Sequence, residues 1–321
     1  MLNLKVMRRV ILIFTIIFFA WGVNQAYPYW IWSPKTGKWV NPKYAVKPTP
    51  TEQLAYAQSI YNQKKYKEAV REFQRLIQYY PKAAEAAEAQ YYLGLCVEAQ
   101  DNLYEAYLAF QKVIDRYPFS ERSQEIIEKE FKIAESFMAG KTRKALGINL
   151  PVDNPAIEIF RKVVENSTYG PLASAAQYKL GLVLKGAGRF IEAEEEFQKV
   201  ISNYPKSEWV EAAKYQIASC KASLSRSPDY DQESTSEAKS KFEEFVKEHA
   251  DAALSREAED NIQKLKEKEA ESNFGIGRFY EKQKLYESAK IYYNLVIENY
   301  PQSIWAAKSL ERLQALERKK K

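Results

Sequence analysis

One histidine, two cysteines and eleven glycines in 321 residues leave this chain short of catalytic vocabulary. The lone His249 excludes metal sites built from histidine clusters and leaves little from which to assemble acid–base machinery. Cys96 and Cys220 are too few for a disulfide scaffold or a cysteine-rich zinc module. The glycines form neither a Walker motif nor a dinucleotide fingerprint, so phosphate-cradling loops are excluded as well. No catalytic residue, cofactor or metal is expected, and the chain reads as a non-enzyme. Acidic residues are missing altogether from residues 1–50. Of a formal net charge of +6, residues 1–50 carry +7 and residues 318–321 carry +4, which leaves −5 for residues 51–317. A mildly acidic body does not track a phosphate backbone, so no nucleic-acid partner is expected.

The N-terminus reads as an export segment. Lys5, Arg8 and Arg9 precede an apolar run over residues 10–21, which is short for a bilayer-spanning helix of roughly 20 apolar residues. Residues 1–26 are therefore expected to be a signal peptide or an N-terminal anchor, with Gln25-Ala26 as the candidate cleavage point. Either way the rest of the chain is exported, to a bacterial periplasm.

Residues 27–50 differ from all that follows. Trp30, Trp32 and Trp39 stand among Lys35, Lys38, Lys43 and Lys47, and Pro34, Gly37, Pro42, Pro48 and Pro50 forbid a helix. Trp30–Trp32 and Trp39-Val40, joined by a turn through Pro34–Gly37, suit a small hairpin. Two readings of this arm stand: it grips a partner, a groove or a membrane interface, or it caps the first helices of the body. Peripheral membrane association belongs to the first.

The body repeats. Ala, then an aromatic four residues on, then Pro eight residues further, recurs as Ala69/Phe73/Pro81, Ala106/Phe110/Pro118, Ala193/Phe197/Pro205 and Ala289/Tyr293/Pro301. Tyr80, Tyr117, Tyr204 and Tyr300 precede the prolines. Leu93-Gly94, Leu180-Gly181 and Ile276-Gly277 put a glycine twelve residues before the alanine. This is the tetratricopeptide frame of about 34 residues. Gly and Ala mark the closest approach of helices A and B, the aromatic fills the wedge, and proline stops helix B. Ala134/Ala156/Phe160 and Ala218/Ala238/Phe242 outline two more units with insertions, and the stretch from Ser255 into Gly275 has no breaker and should be one long helix. The expected fold is an all-α tetratricopeptide-repeat superhelical solenoid of about six units over residues 51–316, followed by a basic tail, 317–321. Cys96 and Cys220 fall at the same place in their units as small buried hydrophobes. His249 takes the slot of the turn tyrosine, a structural position.

The Tyr-Pro turns (QYYPKA, DRYPFS, SNYPKS, ENYPQS) and the stretch EAESNFGIGRFYEKQKLYESAKIYYNLVIENYPQS resemble the BamD family over about residues 51–316. Its members are tetratricopeptide lipoproteins of the outer-membrane β-barrel assembly machinery. The resemblance implies a non-enzymatic periplasmic scaffold at the inner face of the outer membrane, whose partners are β-barrel assembly subunits or unfolded outer-membrane proteins. It implies that the C-terminal repeats hold the barrel-inserting subunit and that the N-terminal repeats form a groove. Two departures stand out: the lipobox cysteine is missing, and the arm 27–50 has no counterpart. The alternative is a periplasmic adaptor of the same fold that coordinates envelope constriction or cell-wall synthesis.

In such repeats helix-A positions 2, 5, 9 and 12 line the concave surface. They are Thr51, Leu54, Gln58 and Tyr61 in unit one, Glu88, Tyr91, Leu95 and Glu98 in unit two, and Glu128, Phe131, Glu135 and Met138 in unit three. The peptide-binding groove is thus expected at Tyr61, Glu88, Tyr91, Glu98, Phe131 and Glu135, acidic and aromatic with no base among these positions. It would suit an extended peptide with aromatic and basic side chains, the chain's own arm included.

Overall fold

Small residues at helix–helix contacts and prolines at helix ends lead to the architecture seen in the computed structural model, which describes residues 30–33, 37–41, 45–145, 148–149, 153–225, 232–250 and 253–318. The expected signal segment, 1–26, lies outside the described residues. Thirteen helices occur among them. Taken as A/B pairs these are α1 (Pro50–Asn62) and α2 (Tyr66–Tyr79), α3 (Ala84–Glu98) and α4 (Leu103–Arg116), and α5 (Ser123–Met138) and α6 (Pro155–Asn166). There follow α7 (Ala173–Gly186) and α8 (Phe190–Asn203), α9 (Trp209–Leu224) and α10 (Gln232–Glu248), α11 (Ala253–Lys282) and α12 (Tyr286–Asn299), and a last helix, α13 (Ile304–Arg318). The expected long helix is α11, unbroken over 30 residues. Two short hairpins complete the inventory: β1 (Ile31–Ser33) with β2 (Lys38–Val40), and β3 (Lys144–Ala145) with β4 (Ile148–Asn149) in the insertion of unit three.

The chain forms two compact units, residues 1–96 and 97–321, with the boundary inside α3. Within the second, each helix from α4 onward packs on the next, and α7 touches α9, α9 touches α11 and α11 touches α13. Successive A helices therefore lie side by side.

The landmarks act as their chemistry requires. A Cβ added to Gly181 would stand 2.6 Å from the Phe197 ring, and one on Gly277 would stand 2.7 Å from the Tyr293 ring. Ala57, Ala134 and Ala218 fill the same slot and are fully buried. In the four units with a Tyr-Pro turn, helix B ends on a tyrosine held by the following proline near φ −130: Tyr80 (−126), Tyr117 (−130), Tyr204 (−129) and Tyr300 (−132). Two residues past the proline, Ser120, Ser207 and Ser303 accept from the backbone N–H groups of Arg122 (3.3 Å), Trp209 (3.2 Å) and Ala306 (3.1 Å). Ser303 thereby caps α13, whereas Ser120 and Ser207 stand further back and fasten the turns that lead into α5 and α9. Between A and B the chain turns through a left-handed residue seven positions after the small one: Lys64 (φ 60), Asp101 (φ 59), Gly188 (φ 76) and Lys284 (φ 62). Of these four, Gly188 alone is free of the Cβ strain of that conformation, and unit three turns after its helix A through another positive-φ glycine, Gly140 (φ 104).

The turn tyrosines also work as ties. Tyr80 donates its hydroxyl to the carbonyls of Lys47 (2.7 Å) and Pro48 (3.0 Å), which fastens the end of the arm to α2. Tyr300 donates to Glu269 (3.2 Å), which also accepts from Lys239 (2.6 Å). His249, in the equivalent slot, lies against Phe245 with ring centroids 5.1 Å apart. Both cysteines are buried, and no disulfide forms among the described residues. Burial pushes the Cys220 thiol up to about 11 and that of Cys96 up to about 12, which leaves both inert as nucleophiles.

Gly181→Val tests the helix A–B contact. The added branches cannot coexist with the Phe197 ring, so stability falls by about 1–3 kcal/mol in a denaturant titration of the full chain. An unchanged midpoint would refute the close-approach account of that slot.

Candidate functional site

The candidate site is the face made by the A helices of the second unit, from the end of α3 onward. It is built from charges at the end of one helix A that reach the next. Glu98 at the end of α3 meets Lys129 of α5 at 3.0 Å, and Glu135 of α5 meets Lys179 of α7 at 3.1 Å. Lys185 at the end of α7 donates to Gln216 and Ser219 of α9, both at 2.6 Å. Burial pulls the Lys185 ammonium below its ordinary pKa. At the far end Glu281 of α11 takes a two-pronged contact from Arg312 of α13 and a hydroxyl hydrogen from Tyr293 (2.8 Å). The Arg312 hydrogen bonds hold its carboxyl below the usual range.

This corrects the expectation of an acidic face without bases. Lys129 and Lys179 stand at helix-A positions 3 and 6, which a count of positions 2, 5, 9 and 12 passes over, and they neutralise Glu98 and Glu135. The aromatic positions also differ from a ligand-ready surface. Tyr91 is 4% exposed and Phe131 8% exposed, so these rings form the wall behind the face. The reason is the wedge. The aromatic at position 5 packs on the helix-B ring: Phe131 on Phe160 at 5.5 Å, Tyr178 on Phe197 at 5.5 Å, Tyr215 on Phe242 at 5.6 Å, and Phe274 on Tyr293 at 5.6 Å. Tyr61 is half-buried, edge-on to Tyr92 at 5.2 Å, and Glu88 is half-buried on α3. What the face offers is a row of paired, half-exposed charges over an aromatic floor. Such pairs are worth about 0–1 kcal/mol each in place, so a partner's charges can exchange with them at small cost.

Two hollows lie elsewhere in the second unit. One, of about 210 Å³, sits where the start of α4 meets residues 140–143 of the insertion, with Lys141 on Asp101 at 2.7 Å and Arg143 over the Tyr104 ring at 3.8 Å. The other, of about 400 Å³, runs between α8, α9 and α10 over Ile201, Ile217 and Phe245. On its rim Lys221 bridges Glu194 (3.1 Å) and Glu237 (2.7 Å). Among the described residues no group of three or more His, Cys, Asp or Glu is placed to hold a metal. No described helix is long and apolar enough to cross a membrane.

With this geometry in hand, the comparisons sort the chain. The family described as "Outer membrane lipoprotein" (YfiO) matches residues 224–320, and tetratricopeptide-repeat families match residues 54–121 and 175–207. No curated protein matches. Among solved structures, the C-terminal part of a tetratricopeptide-repeat protein from Cytophaga hutchinsonii aligns at 18% identity over 82% of this chain and 88% of that one, with a TM-score of 0.35. A tetratricopeptide-repeat protein from Parabacteroides merdae aligns at 13% identity over 78% of this chain and 93% of that one, with a TM-score of 0.33. The chain is an all-α tetratricopeptide-repeat protein, related to BamD through the lipoprotein-family match at residues 224–320.

Behind the face lies a polar position that sequence reasoning passed over, four residues before the small one. In unit one Gln53 is buried there and donates to the Glu72 carboxylate (3.0 Å) and carbonyl (3.1 Å). In unit four Gln177 donates to Glu196 in the same way. Unit three has Glu130 instead, and the matching helix-B residue, one before Phe160, is Ile159. Glu130 is fully buried and both carboxyl oxygens lack a hydrogen-bond partner. Burial pushes its pKa up to about 8 and Asp115 adds to the rise, while Lys162 opposes it. The signal was available in the sequence: the six units hold Gln53, Gln90, Glu130, Gln177, Lys214 and Asn273 at this position, and Glu130 is the one acid.

Because the folded-state pKa lies above the unfolded one, the fold holds a proton that the unfolded chain releases. Stability from this group is complete below about 4.5 and is lost as pH rises to about 8. The melting temperature of Glu130→Gln should therefore exceed that of the unmodified chain by a margin that widens from pH 5 to pH 9. A constant margin would show that Glu130 carries no such proton.

Proposed function

We propose that this protein is an envelope scaffold that binds other proteins through its repeats, with a BamD-like part in assembling outer-membrane β-barrel proteins from the periplasmic side. The observation that carries the reading is the lipoprotein-family match at residues 224–320, which takes in the long helix α11 and the closing pair α12 and α13. Repeat arrays of this kind present extended surfaces to partners, and proteins built on them serve mainly as scaffolds. The same segment leaves large apolar side chains in solvent: Phe279 on α11, Ile291 (65% exposed) on α12, and Ile304 (62%) and Leu310 on α13. Exposed apolar side chains concentrated on one part of a chain mark interaction surfaces. The paired charges of the A-helix face supply a second, exchangeable surface for an extended polypeptide.

The test is capture from the native envelope with the full chain and with Ile291→Asp/Ile304→Asp. The unmodified chain should retain a β-barrel assembly subunit, and the double variant, equally folded by circular dichroism, should lose it at least tenfold, about 1.4 kcal/mol or more. Retention of cell-wall synthesis proteins with no barrel subunit would overturn the assembly role in favour of the adaptor reading.

A further inference from the structure

The hairpin ahead of the repeats is the part of the chain that the array does not explain. Strand alternation puts Trp30 and Trp32 on the same side of the chain, and the register sets Trp39 directly opposite Trp32. The Trp32 and Trp39 rings meet edge-on, 5.8 Å between centroids. One face of the hairpin thus presents three tryptophans, 60%, 49% and 62% exposed in sequence order. Ile31, on the other face, is exposed as well. The segment that carries them, residues 27–50, holds four lysines and no acid.

An exposed indole is apolar over most of its surface and polar at its N–H, the combination that settles at the boundary between lipid headgroups and acyl chains. Lysines close to it in sequence add a positive charge that lipid phosphates attract. A protein-binding patch would follow a different rule, since the cores of protein interfaces are depleted in lysine. The three rings also lie on the face of a two-stranded ribbon. We infer that this hairpin docks on an anionic lipid surface, tryptophan face inward, and so tethers the repeat array to a membrane. The tie from Tyr80 to the carbonyls of Lys47 and Pro48 would transmit that hold to α2. The inference does not rest on the assembly role.

The experiment uses the full chain and vesicles whose acyl chains carry bromine, made of phosphatidylcholine with or without phosphatidylglycerol. Bromine quenches tryptophan that reaches the acyl boundary. The arm's share is the difference between the unmodified chain and Trp30→Ala/Trp32→Ala/Trp39→Ala. That share should be quenched several-fold more strongly on phosphatidylglycerol vesicles than on phosphatidylcholine alone, and high salt should remove the difference. A second variant, Lys35→Gln/Lys38→Gln/Lys43→Gln, keeps the rings and should lose the preference. The inference fails if the arm is unquenched on anionic vesicles, whether or not the chain sediments with them through its N-terminus. It fails equally if both vesicle types quench alike.

Discussion

The structure depends on one contact, the closest approach of helix A to helix B inside each repeat. Where Gly181 faces Phe197 and Gly277 faces Tyr293, a single methyl group has no room. That limit fixes the depth to which the two helices sink into each other. The helix-B ring then lies across helix A and meets the aromatic of position 5, so one small residue organises two large ones. In the second unit, where the A helices α7, α9, α11 and α13 touch in succession, the distance set inside each pair also sets where the next pair can sit. Stability in such an array is close to a sum of intrinsic and nearest-neighbour terms. A change at one contact is felt in its own repeat and the next, and little further.

The polar positions follow from the same geometry. Four residues before the small one, in units one, three and four, the helix-A side chain is buried in the A–B seam and must find a hydrogen bond there or remain uncharged. Gln53 and Gln177 find glutamates on helix B. Glu130 finds Ile159 and keeps its proton. Tyr107 of α4 lies close by with its hydroxyl donated to Glu158 (3.1 Å), so that side adds no countercharge. On the outer side of the A helices the charges are not constrained by the seam, and they pair with the neighbouring repeat. The result is a face of cancelled charges that can be re-paired by a partner and a seam whose one free carboxyl cannot be.

Much of the fold was legible because its rule is local. A glycine or alanine, an aromatic and a proline at fixed spacing mark three points on one helical hairpin, and the hairpin turn of the arm was marked by Pro34 and Gly37. The long helix α11 was legible because nothing in it breaks a helix before Gly275. The candidate site was less so. Phe131 has the helix-A spacing of a surface residue, yet the wedge takes it inward, which only the Phe160 ring opposite it reveals. Lys129 and Lys179 find their partners on a neighbouring helix A, which the spacing within one repeat does not reveal. Glu130 needed its partner position to be identified across an insertion of variable length.

Variation along the chain is confined to places the A–B contact does not reach. Unit three carries its insertion between α5 and α6, where other units turn in a few residues, yet Ala134, Ala156 and Phe160 remain fully or almost fully buried. The insertion is stitched back at both ends: Lys141 to Asp101, Arg143 over Tyr104, and the Asn154 amide to the Phe137 carbonyl at 3.3 Å. The first two are contacts with the start of the preceding unit's helix B and the turn before it, and the third ties the insertion to its own helix A. The arm is held in the same manner, by a turn tyrosine and by Gln53, whose side-chain carbonyl accepts from the Lys47 N–H at 2.9 Å. The seam therefore conserves the scaffold while the turns and ends carry what distinguishes this chain. New binding chemistry placed there leaves the repeat packing, and with it the spacing of the A-helix face, unchanged.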